Sequence, residues 1–261
     1  MTVVAFVSYG NDSVALLQWL KEHGEDDVVA LHSDTGWAAP WWADRVIEGE
    51  RLAKELGYET ARTVSVGMEA LVRQRKGWPA QQFQFCTTVL KIEPAREWLD
   101  ENDPQKELTL CAGIRRSESQ HRANWPEYVV DLENDIYPGH DSWFPLVRHT
   151  DEMRNELIER AGFEVLPHRS QECCPCINAD AADIRALTEE RVAYIEALEN
   201  SMGYTSKGNL RTIFRPKKKG GAVGIRAVWQ WANSGGKYDA KQEFMFGLGS
   251  GSGCDSGMCS A

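Results

Sequence analysis

The chain has 261 residues, 42% of them hydrophobic and 26% charged, and a formal net charge of −10. Such a length and balance suit one large globular α/β domain, or one with a smaller appendage. No apolar run approaches a membrane span and no charged-then-apolar leader precedes a cleavage site, so a cytoplasmic protein without membrane contact is expected.

In chain order, strand-length apolar runs fall at 3–8, 28–33, 60–66 and 108–114. Segments of helical periodicity lie between them at 13–23, 41–56 and 92–100. Alternating strands and helices predict a Rossmann-like α/β fold, an open and mostly parallel sheet with helices on both faces. Right-handed crossovers then bring strand C-termini and helix N-termini to one edge, where open sheets bind ligands. Beyond residue 150 the pattern turns helical, with helices expected at 151–161, 180–202 and 223–231. Asn178 is the expected N-cap and Gly203 the expected C-cap of the long one. The expected organisation is a nucleotide-binding domain at 1–170, a cysteine and helical/basic extension at 171–246, and a Gly/Ser tail at 247–261.

The first strand runs into Ser8-Tyr9-Gly10-Asn11-Asp12-Ser13 and then a helix. A helix N-terminus offers unpaired N–H groups and the positive end of its dipole, which favours phosphate. Gly10 allows close approach, Ser8 and Ser13 can donate hydroxyls, and Asp12 either caps the helix or helps hold a divalent cation. A capped helix after a strand is the plain structural alternative. Arg115, Arg116 and Arg122 follow the fourth strand, where guanidinium forks suit phosphate or sulfate oxygens, and Lys91 can add a point charge. The same arginines could instead pair with acids such as Glu118.

Seven cysteines in a reducing compartment argue against a disulfide framework. Cys173, Cys174 and Cys176 cluster as Cys-Cys-Pro-Cys, which points to a metal or a redox pair, while Cys111 lies in an apolar strand and reads as core. The stretch 204–241 holds nine basic residues and one acid, so it carries +8 against −18 elsewhere. That segregation suits contact with DNA or RNA, or a solvated basic face. Cys254 and Cys259 sit in the Gly/Ser tail, which could swing a thiol into a site or stay inert.

Four ordered segments resemble one family. Ser8–Ser13 is similar to the PP-loop, Ser-Gly-Gly-x-Asp-Ser, of the adenine-nucleotide α-hydrolase superfamily. Asp34-Thr35-Gly36, the run from Cys86 through Lys91 to Pro94, and Gly113-Ile114-Arg115-Arg116-Ser117-Glu118-Ser119-Gln120-His121-Arg122 resemble the motifs of its 3′-phosphoadenylylsulfate (PAPS) reductase branch. Pro145-Leu146 and Asp151-Glu152 follow in the same order. The resemblance implies that Ser8, Gly10, Asn11, Asp12, Ser13, Asp34, Thr35, Gly36, Gly113, Arg115, Arg116 and Arg122 bind the nucleotide. It also implies a 4Fe–4S cluster on Cys86, Cys173 and Cys176, with Cys174 as fourth ligand or free thiol; zinc is the alternative.

Two departures stand out. Tyr9 replaces a family glycine, although a bulky residue resists positive φ. Trp37-Ala38-Ala39-Pro40-Trp41-Trp42 replaces the usual residues after Asp-Thr-Gly and offers either an aromatic wall for a base or core anchors.

Three functions follow from the resemblance. One is an ATP pyrophosphatase with Mg²⁺, which activates a substrate such as nucleic acid for sulfur transfer, with a cysteine desulfurase as partner. Asp12, Lys91 and Arg115 would act in it, and the basic stretch with Trp229 and Trp231 would hold the polyanion. Another is a thioredoxin-dependent reductase of PAPS or adenylylsulfate, with Cys254 as nucleophile. The third is a nucleotide sensor without catalysis.

Overall fold

The computed structural model describes residues 2–214 and 221–234. Six strands form one sheet in the order β3-β2-β1-β4-β6-β5. They are β1 (Val3–Val7), β2 (Val28–Asp34), β3 (Glu59–Val64), β4 (Thr109–Ala112), β5 (Tyr128–Val129) and β6 (Ser142–Trp143). All neighbours are parallel except β5 with β6. The centre is β1, Val-Val-Ala-Phe-Val, buried along its whole length as a parallel strand covered on both faces must be.

The order of the first strands creates the ligand edge. From β1 the chain builds outward through β2 to β3, then returns to place β4 on β1's other side. The switch point between β1 and β4 therefore opens at the strand C-termini, where open α/β sheets accept ligands. The loop after β1, the Asp-Thr-Gly turn after β2 and the arginine segment after β4 all leave the sheet on this edge.

Helix α1 (Asn11–Glu22) follows the first loop, α2 (Trp42–Glu55) links β2 to β3, and α3 (Met68–Arg75) follows β3. A short α4 (Phe85–Thr87), a π-helical turn at Thr88–Ile92 and α5 (Glu93–Asn102) form one continuous run. Pro94 has no N–H to return to the carbonyl four residues earlier, which favours the wider turn just before it. That turn carries Lys91. Helix α6 (Asp151–Arg160) packs on α1.

The helix expected over 180–202 is two helices, α7 (Ala181–Arg185) and α8 (Glu189–Met202). Two capping residues account for the break. Asp180, not Asn178, caps α7 with a reciprocal bond from Asp183, and the Thr188 side chain accepts from Arg191 N to start α8. Gly203 ends α8 with φ 64°, as expected. Helix α9 (Ile225–Asn233) closes the described chain. A second apolar core joins α7, α8 and α9 to α3 and Trp37, so the extension is seated beside the ligand edge. Among the described residues no helix is long and apolar enough to cross a membrane.

Candidate functional site: a phosphate-type loop beside a cysteine cavity

Tyr9 takes the left-handed backbone, φ 57°. The loop thus follows the path a glycine would give it, at a cost of about 1–2 kcal/mol for a side-chain-bearing residue. Packing offsets that cost. The Tyr9 ring is fully buried, lies 5.7 Å from the His32 ring and fills a slot left open by Gly49. Two bonds from the α2 segment fix the turn: Trp42 Nε1 donates to Ser8 O (3.2 Å) and Arg45 Nε to Tyr9 O (3.1 Å). The Tyr9 hydroxyl has no hydrogen-bond partner among the described residues, and burial pushes its pKa up.

The remaining loop residues divide their work. Ser8 N donates to Ser13 Oγ (3.1 Å) and the two hydroxyls lie 3.2 Å apart, which closes the loop on the start of α1. Gly10 is the N-cap, with no side-chain bond to the first turn. Asn11 does not face a ligand freely: its side chain donates to Leu166 O (2.9 Å) and accepts from Leu166 N (2.9 Å). A crossing segment, 166–172, is thereby pinned over the loop, so tightly that a Cβ on Gly10 would stand 2.9 Å from Ser170 Cβ.

Asp12 neither caps α1 nor faces solvent. Fully buried, it pairs with Arg115 Nε and lies 3.8 Å from Arg154 Nη1. Arg115 also bonds Ser117 Oγ (2.9 Å) and Asp151 Oδ1 (2.8 Å). Burial opposes the Arg115 charge, but Asp12 and Asp151 outweigh it and hold its pKa above the usual value. Arg122 pairs with buried Glu118, which also accepts from Arg115 N, and Arg116 Nε donates to Trp125 O (2.9 Å). These three arginines brace the segment after β4. Gly113 is required by packing, since a Cβ there would meet Asp12 O at 2.6 Å.

After β2, Asp34 is exposed and its Oδ1 accepts from Gly36 N (2.8 Å). Gly36 has φ 58°, and a Cβ on it would stand 3.0 Å from Gly67 Cα. Thr35 is buried and bonds Glu172 through both its N–H (3.2 Å) and its hydroxyl (2.8 Å to the carbonyl). Glu172, which no sequence pattern singles out, also lies 3.3 Å from His32 Nε2, while His32 Nδ1 meets Val7 O at 3.0 Å. Burial lowers the His32 pKa, but the Glu172 bond and charge outweigh it and leave it raised. One buried acid thus ties the first two strand ends to the cysteine loop.

Cys86, Cys173 and Cys176 line one cavity with Thr35, Lys91 and Glu172. Cys174 does not: it packs between the two apolar cores, and its carbonyl accepts from Arg191 Nε (2.7 Å). Burial pushes the Cys86 thiol up to about 11 and Cys173 to about 12. Lys91 is buried here with no hydrogen-bond or ion-pair partner among the described residues. Burial opposes its charge, yet the thiols and Glu172 outweigh it and keep its pKa above the usual value. Among the described residues no three His, Cys, Asp or Glu side chains converge as a single metal ion would need. Cys111 is core, as expected.

Trp37 and Trp42 are core anchors, whereas Trp41 is 44% exposed and stands 5.5 Å from the His168 ring. Trp229 is half-buried against the second core and donates to Leu187 O (3.1 Å), and Trp231 packs there too. Of the basic stretch, Arg226 pairs with Glu189 and Glu196, and Arg211 is bound by the Lys76 and Tyr204 carbonyls. Arg215, Lys217, Lys218, Lys219, Lys237, Lys241, Cys254 and Cys259 lie outside the described residues.

A mostly parallel sheet with this loop at its switch point defines the class of PP-loop nucleotide-binding α/β proteins. The chain belongs to the phosphoadenosine phosphosulfate reductase domain family, whose sequence model matches residues 2–208. It is 26% identical over 171 residues to a phosphoadenosine 5′-phosphosulfate reductase of Vibrio atlanticus, covering 65% of this chain and 62% of that protein. An uncharacterized protein of Methanocaldococcus jannaschii is 28% identical over 241 residues, 88% of this chain and 45% of its own length. The chain thus spans less than two thirds of either relative. Among solved structures, the phosphate complex of PAPS reductase from Candida auris aligns at TM-score 0.44 and 16% identity, covering 63% of this chain and 74% of that one. NMN synthetase from Francisella tularensis aligns at TM-score 0.45 and 14% identity, covering 89% and 84%.

Proposed function

We propose that this protein is an adenine-nucleotide enzyme that handles sulfur: an ATP pyrophosphatase that activates an acceptor, nucleic acid among the options, for sulfur transfer. The observation that carries this reading is Lys91, a buried ammonium with no hydrogen-bond or ion-pair partner among the described residues, lining a cavity with three thiols beside the phosphate-type loop. An unpaired buried cation is costly unless an anion joins it. In this reading the first N–H groups of α1, with Ser8 and Ser13, bind phosphate. Lys91 neutralises charge that develops as pyrophosphate leaves and AMP forms. Arg115 acts indirectly, holding Asp12 and Asp151 in place.

Cys86, Cys173 and Cys176 would hold a 4Fe–4S cluster. Three thiols around one cavity suit a polynuclear cluster better than a single zinc ion, for which no three donors converge among the described residues. The cluster would supply sulfur ligation or electrons next to the nucleotide. Asp12 is buried and its Oδ1 is engaged by guanidinium groups, which compete with Mg²⁺ for that carboxylate.

A second reading is supported by the family match and by the name of the Vibrio relative. Here a tail thiolate attacks the sulfur of PAPS or adenylylsulfate and displaces the nucleotide, and a thioredoxin dithiol supplies two electrons to release sulfite. The sensor reading needs the same loop path that Tyr9 preserves and differs from the other two in the absence of turnover. A product assay on protein reconstituted without oxygen decides: AMP and pyrophosphate from ATP support the first reading, and sulfite from PAPS replaces it with the second. Tight nucleotide binding without turnover of either rejects both.

A further inference from the structure

The crossing segment 166–172 divides the ligand edge into two compartments. On one side is the cysteine cavity. On the other is a larger one of about 470 Å³, walled by the bases Arg115, Arg154 and Arg169 and by acids that include Asp151, Asp180 and Asp183. Arg169 is the one residue that lines both among the described residues. Its side chain is half-buried and loosely held. Its bonds run 3.2 Å to Asp183, 3.3 Å to Asn178 O and 3.7 Å to Asp180. Charge-assisted bonds to a committed partner are nearer 2.7–2.9 Å, roughly as Arg115 makes to Asp151 and Arg191 to Cys174 O. A planar fork with weak partners, set between two compartments, is suited to two oxygens of a tetrahedral anion.

We propose that Arg169 binds the phosphate or sulfate oxygens of a nucleotide that lies in the larger cavity with its reacting end toward the cysteines. This rests on the nucleotide reading above and adds to it the residue that reaches both compartments. Lys91 would meet the same anion from the cysteine side. Asp180 and Asp183 would serve as a counter-charge that the ligand displaces.

The test is calorimetric titration of the full chain with inorganic pyrophosphate, and separately with sulfate, at fixed ionic strength. R169Q is expected to weaken binding of at least one anion by tenfold or more, R169K by less. Ethylguanidinium should restore part of the affinity of R169A, which a purely structural loss would not allow. D183N frees the fork and should tighten binding several-fold; it also decides the matter if R169Q does not fold. Loss confined to pyrophosphate points to an ATP-derived ligand, and loss confined to sulfate to a sulfonucleotide. Wild-type affinity for both anions in R169Q, or unchanged or weaker binding in D183N, overturns the proposal, as does a wild-type protein that binds neither. Arg169-dependent anion binding in a protein that turns over neither ATP nor PAPS would reject the enzymatic readings and leave this assignment standing.

Discussion

The ring of Tyr9 occupies the space that a side chain on Gly49 would need: a Cβ built there falls 2.1 Å from Tyr9 Cδ1. One glycine on α2 therefore makes room for the residue that replaces another glycine in the loop. G49A is expected to destabilise the fold by about 1–3 kcal/mol through overpacking. Y9G relieves the backbone strain but empties a buried aromatic site, for a net loss of about 2–4 kcal/mol. Urea unfolding of both variants checks this, and a Y9G protein more stable than wild type would show that strain dominates packing.

The cysteine arrangement predicts an unequal set of serine variants. Protein purified without oxygen should be brown, with broad absorbance near ~400 nm from iron–sulfur charge transfer. C86S, C173S and C176S should each lose the colour and the bound iron, since those three thiols share the cavity. C174S and C111S should keep both, because their side chains sit against the apolar cores. Iron analysis and spectra suffice, and a colourless wild-type protein containing zinc would reject the cluster.

Periodicity made the first four strands and most helices legible, because a parallel sheet demands apolar strands and surface helices an apolar stripe. The cysteine cavity could be approached through the spacing of Cys173 and Cys176 and the resemblance around Cys86. What stayed hidden was long-range. Nothing local in Glu172 announces that it will reach Thr35 and His32 from 137 and 140 positions away, and Arg169 carries no motif. Asp12 and Arg115 read as ligand-facing residues, yet they pair with each other across 103 positions, which only the packing of α1 against the β4 edge brings about. The division of the long helix was written in Asp180 and Thr188, two capping residues eight apart, and was obscured by the apolar pattern running through both halves.

Glu199 predicts a pH dependence away from the ligand edge. Its carboxylate is buried and accepts from Ile213 N (3.0 Å) and Ile225 N (2.8 Å), tying α8 to the start of α9. Burial raises its pKa, and the two N–H bonds only partly offset that. An acid whose folded pKa is raised binds its proton more tightly in the folded chain. Its contribution is therefore most favourable below the unfolded value of about 4.3 and is lost as pH rises from there through the folded pKa. E199Q cannot ionise, so its deficit relative to wild type should be largest near pH 4 and shrink toward pH 7. Urea midpoints of both proteins across that range test it; a gap that widens with pH contradicts the assignment.

Gly10 separates what the loop needs for folding from what it needs for a ligand. Its φ of −71° is open to any residue, so alanine there carries no backbone penalty. The cost comes from Ser170, whose Cβ lies 2.9 Å from the position of a new Cβ. G10A alone should lose about 1–3 kcal/mol by overpacking against the crossing segment. In G10A/S170G the opposing Cβ is gone, and most of that loss should return, a coupling that a double-mutant cycle in urea measures directly. Because Ser170 also lines the cysteine cavity, nucleotide affinity of the double variant compared with S170G alone then reports on the loop's ligand role. If stability does not return with S170G, the crossing segment does not rest on Gly10 as described.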